Sequence, residues 1–469
     1  MAKRKGTYFA SQLFGEYLAD QFFFKVYTGE LKPPVFDQRM FQGKHMVTLL
    51  HEYTHYLHEI STHVGIVGLA YGVAIRAALS KYVSKDLFIS DFELDGIGSD
   101  ETKIRLIDSS LNIIMGDSFE KIEGNIQEIC GIRTKKGMLH VPDGDEFVRF
   151  EVEMPILIVE DQGRKKELSF GKFFIYEGLA YELEIVFAAN NGISHSNSLI
   201  GTEYTILRYL GEYLKPDIDR KTLLTLASYS LAFDNCGFMF MTLVNALILD
   251  CEKGSNEGRF LEHIRPKIVD EYVRFAESLT GLLDEVVLAY ANRSSLEVTF
   301  SHLRNNYINA AKARTVNPAF EIDFIYENKI EELMELIPPC DYMIVYNDNE
   351  TFMRDFVGTT RSELSNGIEL AKDYQAFACH IHYSNILYYL ATNSFTGDMT
   401  DREHRSCPYY TSCDLKFRVE TPSYCEEVPW VVYNLGIQDG NNHCPYGIGV
   451  LLTKGIDRMP PNGIPQIQL

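Results

Sequence analysis

The chain lacks an apolar run long enough to span a bilayer. The longest candidate, Phe238 to Leu249, contains Asn245 and reads as a buried helix. Basic residues are short relative to acidic ones, 44 against 65, leaving a formal net charge of −21. A field of that sign repels nucleic acid and anionic membrane surfaces, so neither is an expected partner. The two short basic clusters, Lys3-Arg4-Lys5 and Arg164-Lys165-Lys166, read as solvated surface. A secretory leader is not expected, because Glu16 and Asp20 interrupt the apolar stretch behind the basic start. Internal repeats and low-complexity tracts are also missing, which sets aside solenoids and linkers. The expected location is therefore cytoplasmic, where the nine cysteines read as thiols or metal ligands rather than disulfides.

With 469 residues, 46% hydrophobic and 23% charged, the chain has the composition of a globular protein of two or three domains. The most informative stretch is His51-Glu52-Tyr53-Thr54-His55. Residues four apart lie above one another on a helix, so His51 and His55 can offer two imidazoles to one ion. Glu52 is turned about 100° away and borders the site without having to be a ligand. Two neutral histidines, an open position for water and a carboxylate to take its proton make the arrangement of a zinc hydrolase. The pattern is short, so its surroundings decide. Met46 to Leu57 holds no Pro, no Gly and no charge except Glu52, as befits a buried helix around a metal.

Thr48 to Leu57 resembles the active-site helix of zincin metallopeptidases. A metzincin would continue with Gly at position 58 and His at position 61. This chain has His58 and Ser61 there. His58, about two turns beyond His51, reads as a hydrogen-bonded structural histidine. Tyr176-Glu177-Gly178-Leu179-Ala180-Tyr181-Glu182 resembles the Glu-Gly-x-Ala segment that carries the third ligand in many gluzincins. The resemblance implies one catalytic zinc ion held by His51, His55 and Glu177, with Glu184 and Glu203 as alternatives for the third ligand. It departs from the family in two ways. The stretch between His55 and Glu177 is long, and the acid that often follows the ligand Glu by four residues is replaced by Tyr181. The implied activity is a zinc-dependent metalloendopeptidase with Glu52 as base, acting on one or a few protein or peptide substrates. Tyr181, His195 and Tyr204 are candidates by type for the donor to the oxyanion. The alternative is a catalytically silent metal-binding protein that recognises a partner. A di-iron bundle would need a second Glu-x-x-His besides Glu52-Tyr53-Thr54-His55, and the chain has none.

The expected fold is α+β and mostly helical, with a zincin-like pair of ligand helices. Residues 7 to 30 read as an amphipathic helix, about Lys44 to Thr62 as the metal helix, and Gly65 to Lys81 as another helix. A β-rich insertion is expected at about 87–172, with strand candidates at Val148 to Glu153 and Ile156 to Val159. A turn at Asp161-Gln162-Gly163 leads into a third strand near Leu168. From Thr202 to Lys372 the pattern is mostly helical, with core stripes in Leu223 to Phe233, Phe238 to Leu249 and Ile268 to Val287. The expected domains are 1–215, a zincin-like unit with the insertion, 216–372, helical, and 373–469. The last holds Cys379, His380, His382, His404, Cys407, Cys413, Cys425, His443 and Cys444. There Cys407, Cys413, Cys425 and Cys444 could close a second, structural metal site, although no tight Cys-x-x-Cys pair occurs among them.

Overall fold

The computed structural model describes residues 8–9, 12–13, 15–18, 23–29, 44–68, 70–71, 98–117, 128–143, 146–161, 163–194, 202–290, 294–337, 342–347, 351–355, 416–427, 438–439 and 442–443. The fold is α+β and mostly helical, as the sequence predicts. The amphipathic helix expected at 7 to 30 is not formed. That segment carries β1 (Tyr8–Phe9), β2 (Gln12–Leu13), β3 (Gly15–Leu18) and β4 (Phe23–Gly29). Aromatic and β-branched residues crowd Phe23 to Thr28 and favour a pleated strand. The strand that settles the matter lies far along the chain, where helical periodicity cannot register it. β4 pairs in parallel with Tyr342–Asn347, within the region expected to be helical.

Helix α1 (Lys44–Ser61) matches the expected metal helix. It is buried almost all round, with Leu50, Tyr53, Leu57 and Ile60 at its heart and His51, Glu52 and His58 enclosed beside them. At its end the chain folds back so closely that a Cβ on Gly65 would collide with the backbone of His58 and Glu59. Residues 63–68 and 70–71 are helical, and the rest of the helix expected up to Lys81 lies outside the described residues.

The insertion opens with a helix, α2 (Gly98–Met115), and only then becomes β-rich. β5 (Glu128–Asp143), β6 (Glu146–Asp161) and β7 (Arg164–Ser169) form an antiparallel sheet in the order β5-β6-β7. The two expected strands around Pro155 are one strand, β6. Pro155 is tolerated in it because β7 pairs only from Ile156 onward. The Pro155 carbonyl accepts from the Phe170 N–H just past the end of β7, and the nitrogen that cannot donate faces that same terminus. The turn into β7 falls where expected, and Gly163 supplies its positive φ of 77°.

The third layer is helical: α3 (Lys172–Asn190), α4 (Thr202–Leu214), α5 (Arg220–Ser230), α6 (Cys236–Glu252), α7 (Glu257–Tyr290), α8 (Ser294–Val316), α9 (Phe320–Tyr326) and α10 (Ile330–Leu336). The side chains of Asp219 and Asn235 cap the first turns of α5 and α6. The three predicted apolar stripes fall on α5, α6 and α7. Beyond them stand β8 (Tyr342–Asn347) and β9 (Thr351–Asp355), which complete a four-stranded sheet in the order β3-β4-β8-β9. β3 and β4 lie along α1. In the C-terminal region only Lys416–Glu420, Pro422–Glu427 and two two-residue strands are described. Cys425 and His443 fall among these residues, and the other cysteines and histidines of the expected metal site lie outside them. Among the described residues no helix is long and apolar enough to cross a membrane.

One buried cluster runs from α1 through α3 to α10. Its polar centre lies under the metal helix. Arg314 and Glu321, both fully enclosed, form an ion pair at 2.6 Å. Arg314 also donates to Ser61 Oγ, Ser228 Oγ and the Pro318 carbonyl. His58 Nε2 lies 3.2 Å from Glu321 Oε1. Burial lowers the His58 pKa to about 4, so the imidazole is neutral at pH 7 and donates to the carboxylate. Burial alone would raise Glu321, but the Arg314 charge together with the bonds from His58 and Ser228 outweighs it and holds the carboxyl at about 2. The Tyr53 hydroxyl adds a further tie by donating to the Ile337 carbonyl. Removing one member strands a buried charge. Arg314→Met is therefore expected to lower stability by about 3–5 kcal/mol, read from the urea midpoint. Glu167→Ala breaks the Arg133 pair, whose side chains are 48% and 55% exposed. It should change the same midpoint by less than about 1 kcal/mol.

Candidate metal centre

Helical spacing on α1 brings His51 Nε2 and His55 Nε2 to 3.1 Å. The rings meet edge to face at 77°. α3 lies alongside α1, because an apolar surface round nearly its whole circumference buries it in the core. It presents Glu177 Oε2 at 3.5 Å from His51 Nε2 and 3.3 Å from His55 Nε2. Three ligands bound tetrahedrally to one zinc at ordinary bond lengths stand about 3.3–3.6 Å apart. The spacings fit that ion with little adjustment, and the donor set of two imidazoles and one carboxylate suits it chemically. His51, His55 and Glu177 form a zincin-like metal-binding site with gluzincin architecture.

Glu184, considered above as an alternative ligand, has another place. Its Oε2 lies 2.8 Å from His51 Nδ1, on the side of the ring away from Glu177. That contact fixes the Nδ1–H tautomer and turns the Nε2 lone pair toward the centre. The acid that seemed missing at position 181 is thus present one turn later. Glu177 and Glu184 are seven residues apart, two helical turns, so both meet the same neighbouring helix. Spacing alone could have found this residue. Tyr181 instead packs its ring against Tyr204 at 5.5 Å. Tyr204, from α4, meets the edge of His51 at 5.6 Å. α4 comes this close because position 178 is glycine: a Cβ there would sit 2.5 Å from Leu207 Cβ.

Without an ion the electrostatics favour a proton on His51. Burial works against charge on His51, yet its bonds to Glu177 and Glu184 hold its pKa well above the ordinary value. Burial would raise Glu177, but the His55 charge and the bonds to both histidines hold it well below the usual carboxylate range. Glu52 is enclosed beside them, and its negative charge adds to the pull on His51. Glu203, in the first turn of α4, is outside the donor triad. Burial, with the Glu177 charge added, pushes its carboxyl up to about 7. His195 lies outside the described residues.

A second group of potential donors, Glu128, Cys130 and Glu160, lies at the open end of the β5–β6 hairpin rather than in the C-terminal region. The Cys130 thiol is pushed up by desolvation and by the two carboxylates, which opposes the thiolate a metal would need. No protein-family profile, curated protein or solved structure matches the chain.

Two outcomes follow from the support of His51. Glu184→Gln should weaken zinc binding about 10–100-fold in competition with a chelator. In the metal-free protein the folded pKa of His51 lies above its unfolded value. Its contribution to stability is therefore complete below about pH 6.5 and is lost as pH rises through the raised folded value. Zinc at neutral pH must then displace a proton. Calorimetric titrations in buffers of different ionisation heat should register that release, and a buffer-independent heat would refute it.

Proposed function

We propose that the chain is a zinc-dependent metallopeptidase in which His51, His55 and Glu177 hold the ion and Glu52 is the general base. The observation that carries this reading is the separation of the three donor atoms, with a buried glutamate next in sequence to the first of them. A zinc ion held there by His51, His55 and Glu177 would supply a water acidified toward a pKa of about 7 and a positive charge for the substrate carbonyl. Glu52 accepts the water's proton and passes it to the departing amine, so one carboxylate serves as base and then as acid. Glu184 keeps His51 in the tautomer that faces the site. The enclosing apolar helices exclude bulk solvent and strengthen each of these electrostatic contacts. Of the described candidates for the donor to the oxyanion, Tyr204 is favoured, since its ring lies against His51 while Tyr181 packs against Tyr204.

The alternative of a silent metal-binding protein rests on the unusual insertion between the ligand helices and on the missing acid after Glu177. Glu184 supplies that acid and favours the enzyme. A narrow set of protein substrates in the cytoplasm is the finer form of the proposal. The small exposure of the ligand side chains, 6% for His51, 12% for His55 and 20% for Glu177, supports restricted access. A structural metal held by Cys407, Cys413, Cys425 and Cys444 remains part of the proposal for the C-terminal region.

Turnover of a peptide library that chelator abolishes and zinc restores would establish the enzyme against the silent protein. Glu52→Gln should retain one zinc per chain and lose hydrolysis by at least about 10²–10⁴-fold. Glu177→Ala should lose the metal itself. Full activity in Glu52→Gln would eliminate the assigned base.

A further inference from the structure

His51 has a carboxylate on its far nitrogen, and His55 has an aromatic neighbour. The ring of Tyr176, the residue before Glu177, lies nearly parallel to the His55 imidazole, at 28° and 6.4 Å between centroids. The same ring is tilted against His58 at 5.2 Å. These separations fall in the range where aromatic pairs attract with defined geometry. The buried Tyr176 is itself held at two points. Lys172 Nζ stands 4.7 Å from the ring centroid, within the reach of a cation–π contact. Lys172 is enclosed, and its ammonium is fixed by Glu59 Oε2 at 2.8 Å. The phenol oxygen lies 3.2 Å from Thr62 Oγ1.

The direction of that last bond follows from counting protons. The single Thr62 hydroxyl proton goes to the His58 carbonyl at 2.6 Å. Thr62 Oγ1 also accepts from the Gly65 N–H at 3.1 Å. Its remaining lone pair can only accept, so Tyr176 donates. Both ends of Tyr176 are thereby committed, its backbone to α3 and its hydroxyl to the segment that ends α1. The plane left between them bears on His55.

We propose that Tyr176 is a positioning residue for the metal centre, bracing the His55 imidazole by its ring face while Lys172 and Thr62 hold that ring in place. This rests on the reading of His51, His55 and Glu177 as metal ligands, and not on whether the centre hydrolyses peptides. The brace ties two ligands together. Tyr176 and Glu177 are consecutive on α3, so the ring beside His55 and the third ligand share one stretch of backbone. A lost ring face therefore loosens the geometry of the ligand set while all three ligands remain.

The test reads metal geometry in the full chain. Cobalt(II) replaces zinc, its visible d–d bands report the ligand field, and zinc affinity is measured by chelator competition. Tyr176→Phe keeps the ring face and should stay within about threefold of the parent affinity, with the same bands. Tyr176→Leu should bind zinc about 10–100-fold more weakly, the usual effect of losing a group that orients a ligand, with shifted bands. Should the leucine variant fail to fold, Tyr176→Met fills the site with a longer, flexible chain without a planar face and carries the same expectation. Parent-like affinity and bands in a folded leucine or methionine variant would overturn the brace alone. A parent chain that takes up no cobalt would overturn the metal reading beneath it.

Discussion

The centre depends on α1 and α3 lying side by side. α1 contributes the two imidazoles and Glu52, and α3 contributes the carboxylates of Glu177 and Glu184. Neither helix can hold a metal alone, since two histidines leave the ion short of the third protein ligand that a catalytic zinc requires. Packed together, the helices place Glu177 against both imidazoles on one side and Glu184 against His51 on the other. The rest of the molecule fixes the relative position of these two helices. Gly178 admits α4 and its Tyr204, while the Lys172–Glu59 pair ties the start of α3 to the last turns of α1.

Charge buried so deeply needs compensation, and the protein supplies it in two separate networks. One surrounds the ligands. The other, Arg314 with Glu321, His58, Ser61 and Ser228, lies further along α1. A buried ion pair is weak evidence for added stability, because desolvation can match its attraction. Its consequence here is geometric. It ties α8 to α9, and His58 and Ser61 join α1 to that pair through hydrogen bonds. His58 belongs to that network as a neutral donor, which agrees with its reading as a structural histidine rather than a ligand.

Local pattern located most of what local pattern can encode. The metal helix, the three apolar stripes, the turn at Gly163 and the ligand pair four residues apart are short-range features, and each was legible. Glu177 was legible only through resemblance to a short segment. Glu184 carried a usable signal, its two-turn spacing from Glu177, yet it looked like a competing ligand because nothing local says which side of an imidazole an acid will meet. The N-terminal strands read as an amphipathic helix because a local pattern does not show strand pairing, and the partner that decides for β4 is β8, more than three hundred residues away. Two separate strands were expected on either side of Pro155, whereas the short reach of β7 lets one strand run through it.

By itself, then, the order of residues determined that two imidazoles share one face of a buried helix with a carboxylate at the next position, since helical geometry requires it of His51, Glu52 and His55. Tertiary structure alone decided which distant acid completes the donor set, which acid orients His51, and what braces His55. Those roles depend on distances of a few ångströms between separate helices. Such distances are set by packing of the whole core and have no counterpart in the spacing of residues along the chain.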